Sequence, residues 1–171
     1  MADAPRPTAP KLREILEVFI RHGVDFVLVG GLAGIAHGSN YPSYDVDLAY
    51  ERSRENIERL VAALDEIGVR LRGAPADLPF ILDVHTIENG ANFTFITPYG
   101  DLDLLADVGG VKSYAELRAD AVQYEIEGFT IPVASIDHLI AMKRGANRAK
   151  DKLMLEEYIV IADELRNTQS S

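Results

Sequence analysis

The fold is decided by residues 26–50, which read FVLVGGLAGIAHGSNYPSYDVDLAY. The apolar run at residues 26–29 predicts a short buried strand. Gly30 and Gly31 follow this strand and lead into a short helix predicted at residues 32–37. At the end of the stretch, residues 44–50 alternate between polar and apolar side chains, which predicts a second strand with one buried face.

The alternation places two carboxylates on one face of the second strand. Val46 and Leu48 point to the core, so Asp45 and Asp47 project from the other face, about 7 Å apart at Cα. Two bare carboxylates at this distance repel each other, and a cation removes the repulsion. A site of carboxylates without His or Cys suits Mg²⁺. The pair therefore predicts a metal site, although Asp-x-Asp is also common on a solvated strand face.

The glycine pair suits a phosphate group. Glycine lets backbone N–H groups approach phosphate oxygens closely, and the N-terminus of a helix favours anions. Gly30 and Gly31 are also compatible with a plain turn. The combination of glycine pair, Asp-x-Asp and a later strand aspartate is what indicates a joint phosphate and metal site.

The rest of the chain predicts an α+β fold with a mixed or mostly antiparallel sheet flanked by helices. Further helices are predicted at residues 11–22, from 53 to about 68, from 135 to about 145 and from 151 onward, and further strands at 93–97, 102–106, 122–126 and 129–133. Residues 69–92 give no clear pattern. The expected organisation is one domain at 11–166, between a disordered tail at 1–10 and a frayed tail at 167–171.

Local signals set the boundaries of these elements. Ser53, Ser135 and Asp151 are predicted N-caps, because their side-chain oxygens can accept hydrogen bonds from the first helical N–H groups. Glu127 and Gly128 are the predicted turn of a hairpin.

Composition restricts the class of protein. The chain of 171 residues is 47% apolar and carries a formal net charge of −10. An acidic chain is not expected to coat nucleic acid, although Arg144, Arg148, Lys150 and Lys152 could form a local basic lip. With no cysteine, disulfides and thiolate metal sites are excluded. No membrane span or signal peptide is recognised in the sequence, so the cytoplasm is the expected compartment.

Several segments, in order, resemble the polymerase-β-like nucleotidyltransferase superfamily. Residues 29–48 look like its glycine pair and Asp-x-Asp strand, and residues 100–105, GDLDLL, look like the strand of its third aspartate. Residues 136–143 and 148–151 are similar to the C-terminal helices of small bacterial nucleotidyltransferases, which include enzymes of toxin–antitoxin and abortive-infection systems. The resemblance covers about residues 12–163.

The resemblance implies that Asp45, Asp47 and Asp103 hold two Mg²⁺ ions, with Mn²⁺ as a substitute. Gly30 and Gly31 would contact the triphosphate of ATP or another NTP. The implied reaction transfers a nucleoside monophosphate to an acceptor hydroxyl and releases pyrophosphate.

The resemblance leaves the acceptor open among RNA, protein and a small molecule. A toxin component would have an antitoxin partner. An aminoglycoside-type acceptor ranks second among the enzyme hypotheses, because family members that act on antibiotics usually carry an added helical domain and 171 residues leave little room for one.

Two positions bear on the implied site. Asp101 shares the predicted face of Asp103 and is its main rival for the third ligand, and the resemblance selects Asp103. Many family members have Ser within or directly after the glycine pair, whereas Leu32 follows Gly31 here. Backbone groups would then contact the triphosphate, and a non-catalytic nucleotide-binding module or sensor is the alternative function.

Lys143 and Arg148 are the predicted cationic contacts of the triphosphate. On the helix predicted from residue 135, Lys143 falls inside the apolar stripe, between the directions of Leu139 and Ile140. Either the ammonium group of Lys143 reaches the phosphates, or the side chain has only a structural role, in which its aliphatic part covers apolar surface at the helix end. The resemblance, which places a lysine here, favours the phosphates.

His37, Ser39 and Tyr99 are weaker candidates. His37 and Ser39 lie between the two motifs and could touch phosphate, but a place at a helix C-terminus better explains His37. Tyr99 could stack on a base or simply pack at its turn.

Overall fold

The computed structural model describes residues 7–75, 77–146 and 148–170. In chain order, its elements are α1 Leu12–Arg21, β1 Phe26–Val29, α2 Gly30–Ala36, β2 Asp45–Tyr50, α3 Arg54–Ile67, β3 Arg70–Leu71, α4 Val84–Asn89, β4 Phe93–Thr97, β5 Gly100–Leu105, α5 Tyr114–Ala119, β6 Val122–Ile126, β7 Phe129–Val133, α6 Ile136–Gly145 and α7 Ala149–Gln169.

The strands of the described residues form one sheet in the order β3-β4-β5-β2-β1-β7-β6. β1 pairs in parallel with β7, and β2 pairs in parallel with β5. The remaining neighbours in the sheet are antiparallel. This mixed sheet, flanked by helices, confirms the predicted α+β fold.

Burial explains why β1, β2 and β5 lie at the centre of the sheet. All four residues of β1 are buried, as expected for a fully apolar strand. In β2 and β5 the apolar residues of one face are fully buried, and these are Val46, Leu48, Leu102 and Leu104. Their aspartates lie on the opposite face, which is left free for polar chemistry.

The predicted turn and two of the predicted N-caps are confirmed. The Ser53 hydroxyl accepts a hydrogen bond from the Asn56 N–H at 3.2 Å, and the Ser135 hydroxyl accepts one from the His138 N–H at 3.1 Å. Glu127 with φ 54° and Gly128 with φ 85° make the tight turn between β6 and β7. These positive φ values match the twist that a two-residue hairpin turn requires.

The long helix α7 docks onto α2 and the loop that follows it. The Glu157 carboxylate accepts hydrogen bonds from the Ser39 hydroxyl and, at 3.0 Å, from the Asn40 N–H. The buried Tyr158 ring lies against Gly34, where an added Cβ would be 2.8 Å from Cζ. The C-terminal helix is therefore attached to a segment more than a hundred residues earlier in the chain.

Some predicted boundaries were wrong. α2 begins at Gly30 rather than at residue 32, so the glycine pair forms the first turn of the helix. α7 begins at Ala149, and Asp151 lies inside its first turn instead of capping it. Instead of capping the helix, the side chain of Asp151 forms salt bridges with Lys143 and Arg148.

The segment without a clear pattern, residues 69–92, contains β3 and α4, and α5 was not predicted at all. The boundary predicted at residue 166 falls inside α7, which continues to Gln169. Residues 7–10 have no regular structure, while residues 1–6 of the predicted N-terminal tail and Ser171 lie outside the described residues. Within the described ranges, no helix has both the length and the apolarity needed to cross a membrane.

Candidate active site

Four aspartates form what we call the carboxylate row, which consists of Asp45, Asp47, Asp101 and Asp103. The parallel register of β2 and β5 places Asp45 beside Asp101 and Asp47 beside Asp103. Because the residues between them are buried in the core, all four side chains lie on the same face of the sheet. The structure thus brings together the three predicted ligands and the predicted rival, Asp101.

Gly30 lies directly against the carboxylate row. Its φ is +72°, a conformation that glycine adopts at little cost. An added Cβ would lie 2.7 Å from Cγ of Asp47 and 2.9 Å from Cβ of Asp47. The first glycine of the pair is therefore required by the backbone conformation and by the close approach of Asp47.

Gly31 is packed against a different residue. An added Cβ at this position would lie 2.7 Å from the Ser43 hydroxyl oxygen. That hydroxyl donates a hydrogen bond of 3.3 Å to the backbone oxygen of Asp45. Although Leu32 follows the glycine pair, Ser43 brings a hydroxyl group to it from the loop before β2.

Crowding raises the pKa of two carboxyl groups in the row. Burial is the main cause that raises the pKa of Asp47 to about 7, and the charge of Asp103, a hydrogen bond with Asp103 and the charge of Asp45 add to it. Lys143 acts in the opposite direction. Burial and the neighbouring Asp103 also raise the pKa of Asp45. The row therefore carries a residual electrostatic cost, which a bound cation would reduce.

Arg72 is the site residue that sequence reasoning missed. Its Nη2 donates hydrogen bonds to the Asp103 carboxylate and, at 3.2 Å, to the Phe95 carbonyl oxygen. Its Nε lies 3.4 Å from the Asp101 carboxylate. Arg72 follows β3, a strand of two residues that gives no periodic pattern. The sequence offered only indirect evidence for such a residue, because several neighbouring carboxylates are usually stabilised by a cationic side chain nearby.

A cavity of about 190 Å³ opens beside Asp47 on the side of β1, α6 and α7. Its walls include Gly30, Asp47, Lys143, Arg148 and Asp151. The two predicted cationic residues therefore share one cavity with the first glycine and one aspartate of the row. The apolar part of the wall comes from both neighbouring helices and from the strands, as expected for a small-ligand site.

Lys143 and Arg148 hold a buried carboxylate in this wall. Lys143 Nζ lies 3.0 Å from Oδ1 of Asp151, and Arg148 Nε lies 2.9 Å from Oδ2. The side chain of Asp151 is only 2% exposed. Burial alone would raise its pKa, but the hydrogen bonds from Lys143 and Arg148 outweigh burial and leave the pKa of Asp151 below its usual value.

The weaker candidates lie away from the carboxylate row. His37 is buried at the C-terminus of α2, where Nε2 is 2.8 Å from the Ala134 carbonyl oxygen and Nδ1 is 3.0 Å from the Tyr124 hydroxyl. Burial lowers the pKa of His37. The Ser39 hydroxyl is bound to Glu157. In this structure both side chains therefore hold elements together.

The donor set suits a hard divalent ion, but its atoms are not yet converged. Carboxylate oxygens are the ligands that Mg²⁺ and Mn²⁺ accept. Among the described residues, no group of three His, Cys, Asp or Glu side chains has the arrangement needed to hold a metal ion. The Asp103 carboxylate is instead hydrogen-bonded to the guanidinium group of Arg72.

Comparisons with known proteins identify the fold of the chain but no family to which it belongs. No protein-family model and no curated protein matches the chain. Among solved structures, the lincomycin-bound lincosamide antibiotic adenylyltransferase LnuA is similar with a TM-score of 0.59 and 17% identity, over 88% of this chain and 96% of that chain. A putative nucleotidyltransferase from Thermotoga maritima has a TM-score of 0.55 and 16% identity, over 86% and 89% of the two chains.

A further similar structure is ANT(2'')-Ia in complex with adenylyl-2''-tobramycin, with a TM-score of 0.55 and 16% identity, over 92% of this chain and 96% of that chain. The TM-scores of the three structures lie above 0.5 over most of each chain, which indicates a common overall fold. The chain therefore has a nucleotidyltransferase fold of the polymerase-β-like type, as its sequence motifs predicted.

Proposed function

We propose that the protein is a metal-dependent nucleotidyltransferase that transfers a nucleoside monophosphate from an NTP to a hydroxyl group. The observation that carries the proposal is the carboxylate row on β2 and β5, set against Gly30 and opening into a cavity with Lys143 on its wall. A nucleotidyltransferase fold alone would not support an activity, because one fold hosts many functions.

In this proposal, Asp45, Asp47 and Asp103 hold the metal ions. When bound, the ions would neutralise charge on the triphosphate and favour attack at its α-phosphorus. Lys143 and Arg148 place positive charge on the wall of the cavity beside Asp47. Gly30, the first residue of α2, lies directly against Asp47, so the backbone at the start of this helix stands beside the row.

The reaction balances without a covalent enzyme intermediate. The acceptor oxygen forms a bond to the α-phosphorus, and the bond from this phosphorus to the bridging oxygen breaks. Pyrophosphate leaves with that bridging oxygen. The hydroxyl proton passes to a carboxylate of the row, which acts as the general base.

A small molecule is the acceptor that we propose first. The length argument against an antibiotic acceptor was wrong, because the chain covers 96% of LnuA and 96% of ANT(2'')-Ia. An enzyme of this size therefore has room for such a substrate. Transfer to RNA or protein, a role as a toxin component and an antitoxin partner stay predictions from the sequence.

A non-catalytic sensor is the second candidate. The contact between Arg72 and Asp103 favours it, since a carboxylate held by arginine is not available to a metal ion. A sensor would bind the triphosphate and release no pyrophosphate.

The test is incubation with labelled NTPs and hydroxyl-bearing acceptors, including an aminoglycoside, a lincosamide and RNA, with Mg²⁺ or with EDTA. Pyrophosphate release and transfer of the label are measured. We expect transfer of the label in Mg²⁺ and none in EDTA. Asp45→Asn and Asp47→Asn should lose this activity while they stay folded. Asp65→Asn, an exposed aspartate of α3, is the matched control and should keep full activity. Binding of NTP without pyrophosphate release from any acceptor would favour the sensor.

A further inference from the structure

The position of Arg72 suggests a role that reaches beyond packing. Its side chain is 28% exposed and lies between the edge of the sheet and the carboxylate row. Its backbone is fixed, because the Arg72 N–H donates a hydrogen bond of 3.0 Å to the Thr94 carbonyl oxygen. A change in the position of the guanidinium group would therefore come from rotation about the side-chain bonds of Arg72.

The contacts of the guanidinium are incomplete. Nη2 binds the Asp103 carboxylate and the Phe95 carbonyl oxygen, but Nε is buried and, within the described part of the chain, donates no hydrogen bond. The Asp101 carboxylate lies 3.4 Å from Nε without completing one. A guanidinium group offers five donors in a rigid fork, and a purely structural arginine would be expected to use more of them when half-buried.

A metal ion and this guanidinium would need the same carboxylate. An ion that takes Asp103 as a ligand must approach the oxygen to which Arg72 now donates. Both are cations, so they also repel each other across that oxygen. Binding of one therefore opposes binding of the other, and the opposition is reciprocal.

We propose that Arg72 is a displaceable counter-cation, which holds Asp101 and Asp103 in place until a divalent metal ion takes over Asp103. Arg72 is in this view a positioning residue for the metal site. The inference rests on the proposed function, because it takes the row to be the metal ligands. It gives Arg72 the task of offsetting the negative charge of Asp101 and Asp103 whenever no metal ion is bound.

The test compares the affinity of the full chain for Mn²⁺ alone, by isothermal titration calorimetry, in the wild type, Arg72→Gln and Arg70→Gln. Arg70 is an exposed arginine on β3, the edge strand that Arg72 follows, and its variant has the same change in charge. We expect Arg72→Gln to bind Mn²⁺ at least about tenfold more tightly, because a charge-assisted contact no longer competes. Arg70→Gln should stay within about twofold of the wild type, since its guanidinium does not compete for Asp103.

A second measurement needs no variant. In the wild type, the Nε–H signal of Arg72 in a nitrogen-15 NMR spectrum should shift during a Mg²⁺ titration, with the midpoint of metal binding. Equal or weaker Mn²⁺ affinity in Arg72→Gln, or an unmoved Arg72 signal at metal saturation, would overturn the role of Arg72 and leave the proposed function standing. If neither the wild type nor Arg72→Gln binds Mn²⁺, both the role and the proposed function fail.

Discussion

Replacing Gly30 by alanine probes the contact between the glycine pair and the carboxylate row. An alanine at φ +72° adopts the left-handed conformation, which costs roughly 1–2 kcal/mol. Its Cβ would also lie 2.9 Å from Cβ of Asp47, a contact that rotation of the Asp47 side chain does not remove. Overpacking of this kind typically adds about 1–3 kcal/mol. We therefore expect Gly30→Ala to lower the free energy of unfolding by roughly 2–5 kcal/mol.

The matched control is Gly68→Ala. Gly68 has a similar φ of +82°, but no atom that the structure describes, apart from those of Gly68 and its two chain neighbours, lies within 4 Å of an added Cβ. This variant should show the backbone cost of roughly 1–2 kcal/mol alone. Urea unfolding of both variants in EDTA measures their free energies of unfolding, and the difference between the two losses is the part caused by the contact with Asp47.

The same pair of variants tests the site. Gly30→Ala should lose metal-dependent pyrophosphate release, because Asp47 must move away from its present position, whereas Gly68→Ala should keep it. An equal loss of stability in the two variants, together with normal activity in Gly30→Ala, would refute the close approach of Gly30 and Asp47 as the reason for the glycine.

Three further predictions concern individual charges. Asp103→Ala should abolish metal-dependent turnover and Asp101→Ala should retain most of it, as measured by pyrophosphate release; the reverse result would make Asp101 the third ligand. Lys143→Met should weaken NTP binding in calorimetry by roughly tenfold or more, and should lower stability by about 1–3 kcal/mol because the buried Asp151 loses a partner; unchanged affinity would leave Lys143 with a structural role alone. Asp151→Asn should be less stable than the wild type, and the difference in the free energy of unfolding should be constant above about pH 5 and shrink below about pH 4. The reason is that the pKa of Asp151 is depressed in the folded state, so the stability that this carboxylate contributes is lost as the pH falls through that pKa. Urea unfolding as a function of pH measures this difference, and a gap that persists unchanged into acid would contradict the ion pair.

The parts of the fold that follow local rules were predictable from sequence. The strand Phe26–Val29 was predicted with its observed bounds, because a short apolar run between polar residues has few other solutions. Ser53 and Ser135 accept hydrogen bonds from N–H groups three residues further along the chain, and the conformation of the hairpin turn is set by Glu127 and Gly128 alone. Both features involve only residues that are close in sequence. The shared face of Asp45 and Asp47 follows from strand alternation alone.

The parts that depend on distant pairing were not predictable. The two-residue strand Arg70–Leu71 exists because it pairs with Phe95 and Ile96, about 25 residues away, and its sequence has no period of its own. Arg72 reaches Asp103 through that pairing and the next one, so two registers had to be known. The ion pair of Lys143 with Asp151 was not predictable either, because nothing local in the sequence reveals that Asp151 is buried beside Lys143.

The docking of α7 onto α2 has a consequence for the order in which the molecule is completed. Ser39 and Glu157 are separated by 118 positions, and the contact between Gly34 and Tyr158 spans a similar distance. Such pairings close a long loop and form slowly compared with local contacts. On the ribosome, the chain emerges from its N-terminus, so Gly30 and Asp47 are available well before Lys143, Arg148 and Asp151. The wall that these three residues form beside Asp47 is thus the last part to be assembled, and a chain that ends before residue 143 carries the acidic row without them.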